Sequence, residues 1–215
     1  MTSSTDSLAK VATLQASWFS ATNAEEQRDV LSKLVDLGTG RTGTFCFPAV
    51  SMLIELCHLT RHGPAKIPII EAMGHCIDQA FVVPALIGEL DHPDDHVVAA
   101  ALDSLGHVGC AFGGHAVSSW LEEKDTREMP EFLVAAACLA LARAGLVEAP
   151  AKIEDAWKTN CISGRNAHLA LAEAVSPVMR VEARLHLNDP EVAAAAGLHL
   201  ATIRAPELPT LLSSM

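Results

Sequence analysis

Residues 90–109 read LDHPDDHVVAAALDSLGHVG and set Asp91, Asp94, Asp95 and Asp103 beside His92, His96 and His107. Acids and imidazoles together can hold a metal, pass protons, or present a patch whose charge changes near neutral pH. Asp103 precedes His107 by four residues, and Glu71 precedes His75 by four, so on a helix each pair shares one face. His96 falls on the same stripe as Asp103 and His107. Such a row suits a binding ladder for a basic or polar partner, or a pH-sensitive patch. The plainer reading is a solvated helix face with weak i,i+4 contacts.

Metal chemistry needs more than these pairs supply. The chain holds 10 His and 6 Cys, with His58 and His62 four apart beside Cys57, His75 next to Cys76, and His107 close to Cys110. Zinc asks for about four converging ligands, and a helical His pair offers only half of that. No metal and no cofactor is therefore expected. Covalent catalysis has less to stand on. There is no G-x-S-x-G, no Gly-rich phosphate loop and no CxxC. Gly113-Gly114 can open a helix, but a plain turn is the simpler reading. Trp18, Trp120 and Trp157 are expected to pack in the core.

The elements that carry these residues follow from composition and periodicity. The chain has 215 residues, half of them hydrophobic, with 4% aromatics and no Tyr. An apolar content made mostly of Ala, Leu and Val favours close-packed helices over sheet. The formal net charge of −11 argues against binding to phosphate backbones or anionic membranes. No secretory signal or membrane span is read in the sequence. The dispersed cysteines are expected to be reduced and mostly buried, in a cytoplasmic protein.

Val97, Ala100, Ala101, Ser104, Leu105 and Val108 form one apolar helical stripe, and Gly109 marks its end. Asp91-His92-Pro93-Asp94-Asp95 reads as a turn followed by a helix start. The same stripe recurs at Ile69, Ala72 and Met73; at Leu133, Ala136, Ala137, Ala140 and Leu141; at Ala170, Leu171 and Ala174; and after Asp189-Pro190. A preceding helix recurs too, at Val50/Leu53/Cys57, Val83/Leu86/Leu90, Val117/Trp120 and Ile153/Trp157, with a looser copy at Val178/Val181/Leu185. Helical hairpins repeating every thirty-odd residues define an α-solenoid. In this register Glu71, Asp103 and Glu173 are equivalent, as are His75, His107 and Arg143. Two N-terminal helices, near 8–20 and 24–37, match the template poorly and read as a capping unit.

The stretch L-D-H-P-D-D-H-V-V-A-A-A-L-D-S-L-G resembles the second half of a HEAT-like repeat of the PBS-lyase type. The resemblance covers about residues 47–203 and implies an all-α, right-handed α-solenoid of about five to six HEAT-like hairpins. The expected organisation is a single domain over 1–215, with capping helices in 1–46, repeats in 47–203 and a tail in 204–215. HEAT-like repeats usually carry an Arg that ties one repeat to the next through an acid. Here Val98, Val134 and Ala193 stand at that place, and only Lys66 and His168 keep a basic type. Packing alone is therefore expected to join the repeats.

Function follows from the architecture only as a class. The preferred reading is a non-enzymatic, acidic scaffold, adaptor or inhibitor (an immunity-type protein among the possibilities) that binds another protein with a basic or polar surface. Its expected contact residues are Glu71, His75, His96, Asp103, His107, Arg143 and Glu173. The alternative is a small metal- or tetrapyrrole-linked enzyme, because HEAT-like repeats also occur in phycobilin lyases. A third reading, a repeat fragment of a larger assembly, places an exposed apolar end near Leu208 to Leu212.

Overall fold

The computed structural model describes residues 4–40, 45–76 and 79–174. The copies expected after Ser176-Pro177 and Asp189-Pro190, and the tail with Leu208 to Leu212, lie outside the described residues. What is described is helical, with no strand among the described residues. Two compact units divide at Val108/Gly109.

The N-terminal unit begins with α1 (Ser4–Ser20) and α2 (Ala24–Gly38). The start of α2 is written by Thr22, Asn23 and Glu26. Asn23 Oδ1 accepts the Glu26 N–H at 2.9 Å, and Glu26 Oε2 accepts the Thr22 N–H at 2.7 Å. This reciprocal cap satisfies two orphan donors and holds the Glu26 carboxyl below its ordinary range, with the Thr22 N–H as the largest cause.

Two hairpins follow, α3 (Phe47–Leu59) with α4 (Gly63–Gly74), and α5 (Gln79–Gly88) with α6 (Asp95–Val108). A single 3-10 turn, Glu89–Asp91, ends the first helix of the second hairpin. Asp94 then opens α6, its Oδ1 accepting the His96 N–H at 2.9 Å. The Asp91 to Asp95 stretch is thus a turn and a helix start. The expected stripes are the core: Val50, Leu53, Ile69, Met73, Val83, Leu86, Val97, Ala101 and Leu105 are all buried.

The second helices of the two hairpins pack closest. Ser104 Oγ donates to the Ile70 carbonyl at 3.0 Å in the buried seam. A Cβ at Gly74 would lie 2.8 Å from Ser104 Cβ, so the glycine lets the two backbones meet.

Packing is not the only tie between hairpins. Lys66, from α4, places Nζ 2.8 Å from both Oε1 and Oε2 of Glu89 at the end of α5. The two side chains are 10% and 9% exposed. Cys57 Sγ donates to the same carboxylate at 3.5 Å. The expectation that packing alone joins the repeats therefore fails at this junction. Lys66, one of the two positions expected to keep a basic type, supplies this tie.

The second unit holds α7 (Ala111–Glu123), α8 (Glu131–Arg143), α9 (Ala149–Lys158) and α10 (Gly164–Glu173). Val117, Trp120, Leu133, Ala137, Leu141, Ile153, Ala170 and Leu171 fill its core. Gly113-Gly114 is not a plain turn but part of the first turn of α7. A Cβ at Gly114 would meet Ala144 Cβ at 2.5 Å, so Gly114 serves close packing. Gly109 and Gly145 have φ angles of 62° and 68°, which suit glycine. Glu131 reaches across to the start of α10, its Oε1 accepting the Ser163 N–H at 2.8 Å and Asn166 Nδ2 at 2.9 Å.

Candidate functional site

In the N-terminal unit, one edge collects the ends of α2, α4 and α6 and the starts of α3 and α5. The Cys46 N–H donates to the Leu37 carbonyl at 3.0 Å, which sets the start of α3 against the end of α2. Gln79 Nε2 donates to the Val108 carbonyl at 3.5 Å, which sets the start of α5 against the end of α6. Lys66, Glu89 and Asp94 belong to the opposite edge, where Gly63 abuts Asp94.

The first edge carries His75 and His107. Both are exposed, and their rings meet edge to face with centroids 5.5 Å apart. The two equivalent positions of adjacent repeats are thus brought into contact. His107 Nδ1 lies 2.9 Å from the Asp103 carbonyl oxygen. A carbonyl can only accept, so Nδ1 carries the proton, and in the neutral ring Nε2 holds the lone pair. Asp103 and Glu71 are exposed one turn back on α6 and α4. His96 is exposed as well, but it sits in the first turn of α6, about 16 Å along the helix from His107 at about 1.5 Å per residue. It belongs to the opposite edge with Asp94. Arg143 and Glu173 come together in the second unit, where Arg143 Nε stands 3.9 Å from Glu173 Oε2. In the repeat register these two positions correspond to those of His75 and Asp103.

The arrangement offers charge and imidazole at the surface. No group of three or more metal-ligating side chains occurs among the described residues. All six cysteines are free and five are buried. Burial pushes the Cys57 thiol up to about 12, with the Glu89 carboxylate adding to the effect. Burial likewise pushes Cys138 up to about 12. A thiol held protonated is a poor nucleophile. In the second unit a cavity of about 490 Å³ is walled by Cys138, Val134 and Ala156, with Glu122, Lys124 and Lys152 around it. Lys152 pairs with Glu122 across α9 and α7.

Sequence reasoning passed over the phenylalanines. All six, Phe19, Phe45, Phe47, Phe81, Phe112 and Phe132, are exposed, by 41% to 65%. Phe47 and Phe81 lie at the edge that carries the His pair, with ring centroids 4.9 Å apart. The available signal was position. Phe47, Phe81, Phe112 and Phe132 each stand within the first three residues of a helix, before the repeating apolar stripe begins. Of the three Trp, Trp120 is buried, while Trp18 and Trp157 are half-buried.

Helical hairpins with a short connection in each define the class: the chain has the fold of HEAT-like α-helical repeat proteins. No protein-family model matches the sequence, and no curated protein matches it. Among solved structures, it is similar to a chain in the complex of CpcE and CpcF of phycocyanin lyase from Nostoc sp. PCC7120. The identity is 19% and the TM-score 0.60, over 88% of this chain and 75% of that one. No helix among the described residues is long and apolar enough to cross a membrane.

Proposed function

We propose that this chain is a protein-binding HEAT-like scaffold, an adaptor or an inhibitor. Its contact surface is the edge of the N-terminal unit that presents Glu71, His75, Asp103 and His107. The observation that carries the reading is the His75–His107 contact, which places equivalent exposed side chains of successive repeats in one row. Helical repeats commonly use such rows, because each repeat delivers a side chain at a fixed interval to an extended partner. Arg143 with Glu173 extends the same chemistry to the second unit, and His96 is a separate, outlying contact. The net charge of −11 favours a partner with a basic or polar surface and speeds its encounter. The similar solved structure is itself a complex of two chains, which agrees with a protein partner.

Affinity capture from native extract tests this, using wild type and a variant carrying Glu71→Lys, His75→Ala, Asp103→Lys and His107→Ala. One protein should co-purify with wild type and be lost from the variant, while circular dichroism stays helical. Retention of the same protein by both forms would remove the edge as the site. A second reading, a lyase-type or tetrapyrrole-linked enzyme, draws on the lyase named in the similar structure. A coloured ligand on the natively purified chain, seen in its absorption spectrum, would favour that reading over the scaffold.

A further inference from the structure

The edge that bears the His pair is also where aromatic side chains turn outward. Phe45, Phe47 and Phe81 are 41%, 42% and 52% exposed, while Ala, Val and Leu fill the core beneath them. Aromatic groups gathered on a surface are what protein interfaces bury at their centres. From Phe47 a groove of about 290 Å³ runs between α1 and α3, walled by Val11, Pro48, Ser51 and Met52. Glu55 also lines it and is the one charged group among its described lining residues. Phe47, Ser51 and Glu55 follow one another at i, i+4 and i+8 along α3, so they form a single stripe. The carboxylate therefore lies about 12 Å from the aromatic end, at about 1.5 Å per residue. The volume is at the bottom of the range for small-molecule sites and suits one or two inserted side chains.

We infer that this edge seats an apolar segment of a partner protein that carries a Lys or Arg. Its apolar side chains cover Phe47 and Phe81 and enter the groove, and its cation meets Glu55 about 12 Å away. Charge complementarity selects this occupant: the groove offers one carboxylate and no cation among its described lining residues, on a chain of net charge −11. The inference rests on the protein-binding reading and adds the aromatic half of the site and the chemistry of the partner.

The test places the photo-crosslinking amino acid p-benzoylphenylalanine at Phe81 in one full-length protein and at His107 in another, each exposed to native extract and light. The Phe81 probe should label a partner segment with apolar residues flanked by Lys or Arg. Glu55→Lys should then cut that labelling roughly tenfold, as loss of a central interface contact does. Its circular dichroism should not change. Labelling from His107 with none from Phe81 would overturn the inference and leave the protein-binding reading standing. So would labelling of an acidic segment or of a second copy of this chain, or a yield indifferent to Glu55→Lys. No labelling from either position would remove the protein-binding reading and the inference with it.

Discussion

Lys66→Met tests whether the ion pair between hairpins is a structural tie. The Lys66 ammonium lies 2.8 Å from both carboxylate oxygens of Glu89. At that separation the gross attraction is about 6 kcal/mol for an effective dielectric of about 20. Desolvation offsets most of it, because the side chains are only 10% and 9% exposed. Removing the lysine leaves Glu89 buried with the Cys57 thiol as its hydrogen-bonding neighbour among the described residues, a change that costs about 3–5 kcal/mol in comparable sites. Replacing both partners, as Lys66→Met with Glu89→Leu, removes the charge problem and should return stability to within about 1–2 kcal/mol of wild type, or above it. Urea unfolding followed by circular dichroism reads the cycle, with the transition that includes α4 and α6 analysed on its own. A single-mutant cost under about 1 kcal/mol would place the pair with ordinary surface bridges and refute the reasoning.

Gly74→Ala should destabilise by about 1–3 kcal/mol, because the new methyl meets Ser104 at 2.8–2.9 Å in a seam that cannot widen freely. Gly88→Ala is the contrast: nothing lies within 4 Å of its Cβ position, so it should be neutral or stabilising by up to about 1 kcal/mol; thermal unfolding of the two variants checks both. For the thiols the sign follows from the raised values. Cys57 and Cys138 stay protonated in the folded chain up to about 12, whereas the unfolded chain ionises near the ordinary thiol value of 9.0. Stability they protect is intact below pH 9 and falls between about 9 and 12, by about 1.4 kcal/mol per pH unit and thiol. Denaturation at pH 8 and pH 10 should show that loss, and Cys57→Ala should reduce it; an unchanged midpoint would contradict the burial argument.

The sequence disclosed the helices because their apolar stripes recur, and Val97, Ala101 and Leu105 occupy the core as their spacing requires. Gly109 was legible as a stop because a positive φ is a local demand. Lys66 was harder to read. Its basic type was visible, but its partner Glu89 lies 23 residues on, in a turn whose geometry no periodicity describes. Gly113-Gly114 looked like a plain turn because helix propensity is local, whereas the space Gly114 leaves is taken by Ala144 and Leu146 from the turn that follows α8. At the candidate site, equivalence between repeats correctly suggested that His75 and His107 are neighbours. It did not separate His96, since a shared stripe says nothing of distance along the helix. The exposed Phe residues escaped because hydrophobic type alone suggests burial, and only tertiary packing decides which apolar side chains stay outside.

The central claim is that the edge built from the ends of α4 and α6 binds a protein. The most direct measurement is a binding titration of the captured partner against wild type and the Glu71→Lys, His75→Ala, Asp103→Lys, His107→Ala variant, at low and high salt. The variant should bind at least roughly tenfold more weakly and show a flatter salt dependence, since rim charges act on encounter and are screened. Equal affinity with the same salt dependence for both proteins would contradict it.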